Sequence, residues 1–209
     1  DLELQDLKAQ AIQILTKTTL KSVLPDLRLG NLANLPKIID RFEEGIKKEK
    51  NEDTKKRLKD QLKLLKNINK IANLELMEIP HENGGSSRHC TLAESAGGVT
   101  AKISLMSAGD VKEKLNAIIR EGDDLDFKNF TSRLSSYELN TQGILKLPKH
   151  SDTKEVQREA IALNISRILG FNTTSATMVD FNGEPALHIP FDNIQLMNEF
   201  ARGEKESII

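Results

Sequence analysis

The first third of the chain has the apolar spacing of amphipathic helices. Apolar residues recur at intervals of three and four, and the strict alternation that is typical of half-buried strands is absent. Pro25 and the polar stretch 50–53 divide this pattern into three segments. We therefore predict a helical bundle over residues 1–78, packed on three apolar stripes: Leu4, Leu7, Ala11 and Ile14; Leu32, Leu35, Ile39, Phe42 and Ile46; Leu58, Leu62, Leu65, Ala72 and Leu76.

The pattern changes at residues 79–87, which read Ile-Pro-His-Glu-Asn-Gly-Gly-Ser-Ser. A proline and a Gly-Gly pair are typical of turns and of the ends of helices. They predict a flexible linker, with a separate core on each side of it. We therefore place a domain boundary here and expect a second unit over residues 88–195.

The second unit mixes strand-like and helix-like segments, which predicts an α+β fold. Residues 101–105 and 143–147 have the β character of short strands. Apolar spacing around 111–119 and 127–137 predicts two amphipathic helices between these strands.

The end of this unit carries clear local signals. Asp152, three residues before Glu155, predicts a helix start, and Gly170 predicts where that helix ends. Asn182 and Gly183 lie between two apolar runs, which is the strongest short-range signal for a β-hairpin.

Composition and charge narrow the function classes. Hydrophobic residues make up 38% and charged residues 29% of the 209 residues, as in ordinary globular proteins. The net charge of −1 removes the usual electrostatic argument for nucleic acid or an anionic membrane as the main partner. No apolar run approaches the roughly 20 residues that span a bilayer, so we expect no membrane span.

Cysteine and histidine usage predicts a reducing compartment and no metal site. Cys90 is the only cysteine, so no internal disulfide can form. His81, His89 and Cys90 lie close in sequence, but they lack the paired spacing of metal ligands. The start, Asp1-Leu2-Glu3-Leu4, is neither a signal peptide nor an initiator methionine, and we expect the chain to be part of a longer protein.

Three features of the second unit occur in the order that a nucleoside triphosphate site requires. Gly97 and Gly98, within the stretch Ser95–Lys102, predict a turn whose backbone amides can approach phosphate oxygens. Lys146 follows in a predicted strand, where a charged residue needs a partner. A carboxylate on the next helix completes the order, because kinases hold such a lysine with a helix glutamate.

Two carboxylates are candidates for that partner. Glu155 is the capping-box partner of Asp152, so its side chain is expected to turn back to the helix terminus. Glu159 lies one turn further along the helix. We favour Glu159 and keep Glu155 as the alternative.

These features resemble the small lobe of HipA-type serine/threonine kinases, the kinase toxins of bacterial toxin–antitoxin systems. Ser95–Lys102 is similar to the Gly-rich loop of that family. The resemblance covers about residues 92–195, under half of the chain. Its other motifs are Gly143–Pro148, Arg158-Glu159-Ala160, Leu169-Gly170, Gly183–Leu187 and Phe191-Asp192.

The resemblance implies a kinase-like small lobe over residues 88–195, an antiparallel sheet with helices, and the start of a second lobe over 196–209. It implies ATP and magnesium as cofactors, and a hinge around 188–191 that meets the adenine. The family's catalytic and metal-binding residues lie after the hinge, and residues 194–209 contain no such set, so we expect this chain alone to be inactive. The residues implied to bind the nucleotide are Gly97, Gly98, Lys102, Lys146, Glu159, His188, Ile189 and Phe191.

The function implied is that of a piece of a bacterial HipA-like kinase, which transfers a phosphoryl group from ATP to a protein serine or threonine. A lipid acceptor is an alternative, because the family is related in fold to phosphatidylinositol kinases. The other alternative is a pseudokinase scaffold, in which the helical module contacts another protein. The expected location is the bacterial cytoplasm, or the host cytosol if the parent is a secreted effector.

Overall fold

The structure, a computed structural model, describes residues 1–22, 32–81, 84–95, 102–122, 139, 142–148 and 152–191. These residues confirm the α+β class. The helices are α1 (Leu2–Ser22), α2 (Leu35–Lys48, preceded by a 3-10 turn at Leu32–Asn34), α3 (Glu52–Ala72), α4 (Ala108–Glu121) and α5 (Thr153–Ile168). The strands are β1 (Glu75–Pro80), β2 (Ser86–Ser95), β3 (Lys102–Ser107), β4 (Gly143–Lys146), β5 (Thr177–Phe181) and β6 (Glu184–Pro190). None of the helices described is long and apolar enough to cross a membrane.

The six strands form one antiparallel sheet in the order β1-β2-β3-β4-β6-β5. The two edge strands, β1 and β5, also contact each other, so the sheet curls towards a closed barrel. Because side chains alternate along a strand, every strand has an inner face and an outer face. The inner face buries one apolar cluster: Ile79, Leu105, Leu145, Val179 and Ala186.

The outer face of β2 and β3 carries the N-terminal helices. Apolar residues of α1, α2, α3 and α4 join β2 and β3 in a single core. Leu65 of α3, Leu115 of α4 and Cys90 of β2 are all fully buried in it. The prediction of separate cores for residues 1–78 and 88–195 was therefore wrong, since the helical residues use the sheet to bury their apolar stripes.

The predicted boundary at residues 79–87 needs the same correction. Residues 75–78 belong to strand β1 rather than to the third helix, and β1 continues to Pro80 and pairs with β2. The described residues of the expected linker, 79–81 and 84–87, therefore belong to a β-hairpin, with Gly84 and Gly85 at φ values of 85° and 81°. The physical reason is that β1 is covered on both faces. Leu76 packs against the helical core and Ile79 against the inner cluster, so their spacing of three imitates a continuing helix.

The other half of the outer face carries α5, and here the local predictions are confirmed. Val156 and Ala160 of α5 pack against Leu187 of β6. The Asp152 carboxylate accepts a hydrogen bond from the Lys154 N–H at 3.1 Å and begins the helix. Gly170, just after the helix end, has a φ of 84°.

The predicted hairpin is also present. Asn182 and Gly183 join β5 to β6 with φ values of 55° and 82°, which is the left-handed conformation that a tight two-residue turn requires. The helix predicted around 127–137 and the segment 196–209 lie outside the residues that the structure describes.

We expect Leu65→Ala to destabilise the whole protein by about 2–5 kcal/mol, because it leaves a cavity in a fully buried position. Thermal unfolding should remain a single transition that shifts to lower temperature. The same change should speed the reaction of Cys90 with a thiol reagent at pH 8. Burial raises the pKa of this thiol to about 11, so it reacts only when the helices separate from the sheet.

Leu2→Ala is the matched control, since Leu2 is 86% exposed on α1. It should change neither the transition nor the labelling rate. Two separate unfolding transitions, or unchanged Cys90 labelling in Leu65→Ala, would show that the helices and the sheet do not share a core.

Candidate functional site

The candidate site is built on Lys146, the last residue of β4. Leu145 belongs to the inner cluster, so Lys146 faces outward, beneath α5. On α5, Val156 and Ala160 face the sheet, and Glu159 lies between them in sequence on the same side of the helix. The Lys146 ammonium and the Glu159 carboxylate form an ion pair.

This ion pair confirms the predicted partnership and selects Glu159 over Glu155. The two side chains are 14% and 32% exposed, for Lys146 and Glu159 respectively. A largely buried ammonium without a partner would be costly, so the carboxylate stabilises the lysine in this position. The pair also fixes α5 to the sheet.

A second lysine lies beside the pair. Lys102, the first residue of β3, is directly opposite Lys146 in the antiparallel ladder. Side chains of such cross-strand pairs start about 5 Å apart, and like charges at that spacing repel each other. Glu159 compensates only one of the two ammonium groups, and Lys102 forms no ion pair with another described residue. Counted over the described side chains, the end of β4 therefore carries an excess positive charge, which suits an anion.

The glycine-rich stretch begins and ends beside this charge. Ser95 is opposite Ile103, and Lys102 follows the stretch directly. Gly97 and Gly98 themselves lie outside the residues that the structure describes. The topology nevertheless brings both ends of their connection to the end of the sheet that holds Lys102 and Lys146. In kinases, too, a glycine-rich loop joins two neighbouring strands and covers the phosphates near a strand lysine.

The residues of the implied hinge are divided between the two faces of β6. His188 is opposite Leu145 and faces inward, away from Lys146, whereas Ile189 packs with the α5 cluster. The structure thus brings Lys102, Lys146 and Glu159 together and leaves His188 on the opposite face.

The backbone of this hinge is already hydrogen-bonded within the protein. The Phe191 N–H donates to the Gln142 carbonyl at 2.8 Å, and the Pro190 carbonyl accepts from the Thr174 hydroxyl at 2.9 Å. Pro190 has no N–H to offer. An adenine that used the Phe191 donor would have to displace Gln142.

The inner face holds a histidine pair that the sequence analysis missed. The rings of His89 and His188 lie 5.4 Å apart between centroids, tilted by 56°. Ser87 Oγ lies 2.7 Å from His89 Nε2. Gly143 lets β4 approach the β6 backbone closely, since a Cβ there would lie 3.1 Å from the Ile189 carbonyl oxygen and 3.3 Å from Pro190 Cα. Only the curl of the sheet brings β2 and β6 together, so no local signal in the sequence points to this pair.

Cys90 does not join these histidines, because it faces the helical core on the other side of β2. Within the described ranges no group of three or more His, Cys, Asp or Glu side chains is arranged to hold a metal ion.

Comparisons of the chain with protein-family models, with curated proteins and with solved structures gave no match. The likeness to HipA-type kinases therefore stays a prediction, carried by the sequence motifs.

Acid should destabilise the protein through His89. Burial, and secondarily the charge of His81, lowers the pKa of His89 below its ordinary value of 6.5. Below pH 6.5 the unfolded chain therefore binds a proton at His89 more readily than the folded chain does. The stability that the neutral His89 contributes is thus present above pH 6.5 and is lost as the pH falls. Denaturant unfolding from pH 7.5 to pH 5 should show the free energy of unfolding decreasing, with a flatter profile for His89→Gln.

His81→Gln is the control, because His81 is exposed. It should retain most of the acid dependence. An identical pH profile for His89→Gln and the unaltered protein would contradict the assignment to His89.

Proposed function

We propose that this chain binds a nucleoside triphosphate beside Lys146, as the ATP-binding small lobe of a HipA-like kinase. The observation that carries the proposal is the ion pair between Lys146 and Glu159. Kinases hold a strand lysine with a helix glutamate so that the ammonium meets the α- and β-phosphates. Here the same two residue types occur in the same order on a strand and on the helix that follows it.

The charge at this end of the sheet supports an anionic ligand. Lys102 and Lys146 together carry two positive charges against the single charge of Glu159. A triphosphate chain would compensate the excess, and charge-assisted hydrogen bonds from lysine are among the stronger polar contacts in proteins. Backbone amides of the Gly97-Gly98 stretch would add donors at the same place.

Magnesium fits the described residues less well than the phosphates do. Glu159, the carboxylate paired with Lys146, is already used by that lysine, and no three-ligand group is present in the part of the chain that the structure describes. Magnesium would therefore come with the nucleotide and take its protein ligands elsewhere. Phosphoryl transfer to a protein serine or threonine, or to a lipid, is accordingly proposed for a longer protein that contains this chain.

The pseudokinase scaffold is the second candidate, and the hinge favours it. The Phe191 N–H that would meet an adenine is donated to Gln142. In that case the ion pair of Lys146 is structural and serves only to fix α5 to the sheet.

The two candidates differ in nucleotide binding, which isothermal titration calorimetry with Mg-ATP measures. We expect binding by the unaltered chain and a loss of roughly thirtyfold in affinity for Lys146→Met, which corresponds to about 2 kcal/mol for a charged hydrogen bond. Lys37→Met removes an exposed lysine of α2 and should bind as the unaltered chain does. Equal affinity of both variants would overturn the role of Lys146, and no binding by the unaltered chain would favour the scaffold.

The glutamate has its own matched test. Glu159→Gln removes the charge that holds Lys146, whereas Glu155→Gln changes the carboxyl group one turn earlier. We expect weaker nucleotide binding only for Glu159→Gln, since the freed ammonium loses its fixed position. A larger effect of Glu155→Gln would contradict the assignment that the structure favours.

A further inference from the structure

The outer surface of α5 is apolar, and none of the residues that the structure describes covers it. Seven large apolar side chains are exposed among the described residues, and five of them lie between residues 161 and 171. We call these five the isoleucine face: Ile161 (59% exposed), Ile165 (51%), Ile168 (83%), Leu169 (68%) and Phe171 (63%). Single exposed apolar residues are ordinary, but a contiguous group of this kind marks an interaction surface.

The spacing of the isoleucines matches a helix contact. Ile161, Ile165 and Ile168 follow one another at intervals of four and three, so they form one stripe along the side of α5 that faces away from the sheet. The opposite side of α5 is already buried through Val156 and Ala160. A helix that is apolar on both sides is normally covered on both sides.

The charged residues that continue the line of the stripe towards the start of α5 are positive, while Glu155 lies to one side of this line. Lys154 and Arg158 are exposed on the same side of α5, about two turns and one turn before Ile161, respectively. Neither forms an ion pair with another residue in the part of the chain that the structure describes. Glu159, by contrast, is turned inward to Lys146. The surface is therefore apolar at its C-terminal part and cationic at its N-terminal part.

We propose that the isoleucine face docks an amphipathic helix of another protein, with acidic residues where that helix meets Lys154 and Arg158. Isoleucines spaced by three and four receive the apolar stripe of such a helix, as in helix-in-groove recognition. Carboxylates at one end of the partner would set its direction along α5, because complementary charges fix register. This inference does not depend on nucleotide binding.

Local charge argues against one other occupant, and net charge against a second. A second copy of this chain would offer its own isoleucine face, but that face supplies no carboxylate for Lys154 and Arg158. An anionic membrane is disfavoured because the chain as a whole has a net charge of −1. Both remain as outcomes of the test.

The test is selection from a phage library of random 16-residue peptides against the immobilised chain, followed by affinity measurement with the synthetic peptides recovered. We expect peptides with apolar residues spaced by three and four and with Asp or Glu clustered at one end. Ile165→Glu should weaken their binding roughly tenfold or more. The charge reversal of Lys154 and Arg158 to Glu should also weaken it, and exchanging the peptide's acidic residues for lysine should restore it.

Leu2→Glu is the control, because it adds the same charge at an exposed apolar residue outside the isoleucine face. It should bind the peptides as the unaltered chain does, and all variants should keep the unaltered melting temperature, since they change surface positions. Peptides without acidic residues, or peptides that bind Ile165→Glu unchanged, would overturn the proposal. So would a dimer in sedimentation that Ile165→Glu dissociates, or flotation with phosphatidylserine vesicles that Ile165→Glu abolishes.

Discussion

The arrangement of this protein depends on one constraint, the need of a curled antiparallel sheet to cover its outer face. The inner face is covered by the sheet itself, as β1 and β5 approach each other and enclose Leu105 and Leu145. The outer face has no such partner. Helices α3 and α4 cover β2 and β3, with α1 packed on these two helices, and α5 covers β5 and β6. Because hydrophobic burial is the dominant favourable term in folding, neither group of helices is an independent module.

The candidate site lies on β4, between the strands covered by the N-terminal helices and α4 and the strands covered by α5. β4 lies between β3 and β6, and its outward residue Lys146 is at the margin of α5. Lys146 is only 14% exposed there, so the compensating charge of Glu159 is important for keeping the ammonium in this position. Lys146 also pairs with Lys102 across the β3–β4 ladder, so the sheet brings a second positive charge next to the ion pair. An ion pair of this kind stabilises the contact of α5 with the sheet and, in the nucleotide-binding interpretation, holds the ammonium in position.

Local chemistry explains what the sequence could predict. Asp152 caps the start of α5, Gly170 follows its end, and Asn182-Gly183 form a hairpin turn. Each depends only on residues close by in the sequence, and each was predicted at the position observed. The partnership of Lys146 with Glu159 was predictable because a lysine in a strand needs a carboxylate, and because Glu155 was expected to turn back to the helix start. Contacts between distant residues were not predictable. Leu76 has the spacing of α3 although it lies in a strand.

The same limit applies to the shared core and to the histidine pair. Cys90 and Leu92 give no sign in the sequence that they face helices that come before them in the chain. His89 and His188 meet only because strands that are not neighbours in the sheet approach through its curl. Sequence periodicity reports which face of an element is apolar, but it does not report which other element covers that face.

The central claim, that the excess positive charge at Lys102 and Lys146 receives a nucleotide, is tested most directly by NMR. A titration of the isotope-labelled chain with Mg²⁺ and a non-hydrolysable ATP analogue locates the ligand residue by residue. We expect the largest shift changes at Lys102, Lys146 and Glu159, with the ring signals of His89 and His188 nearly unchanged on the opposite face. Changes confined to the histidine pair, or none at Lys146 at saturating nucleotide, would contradict the claim.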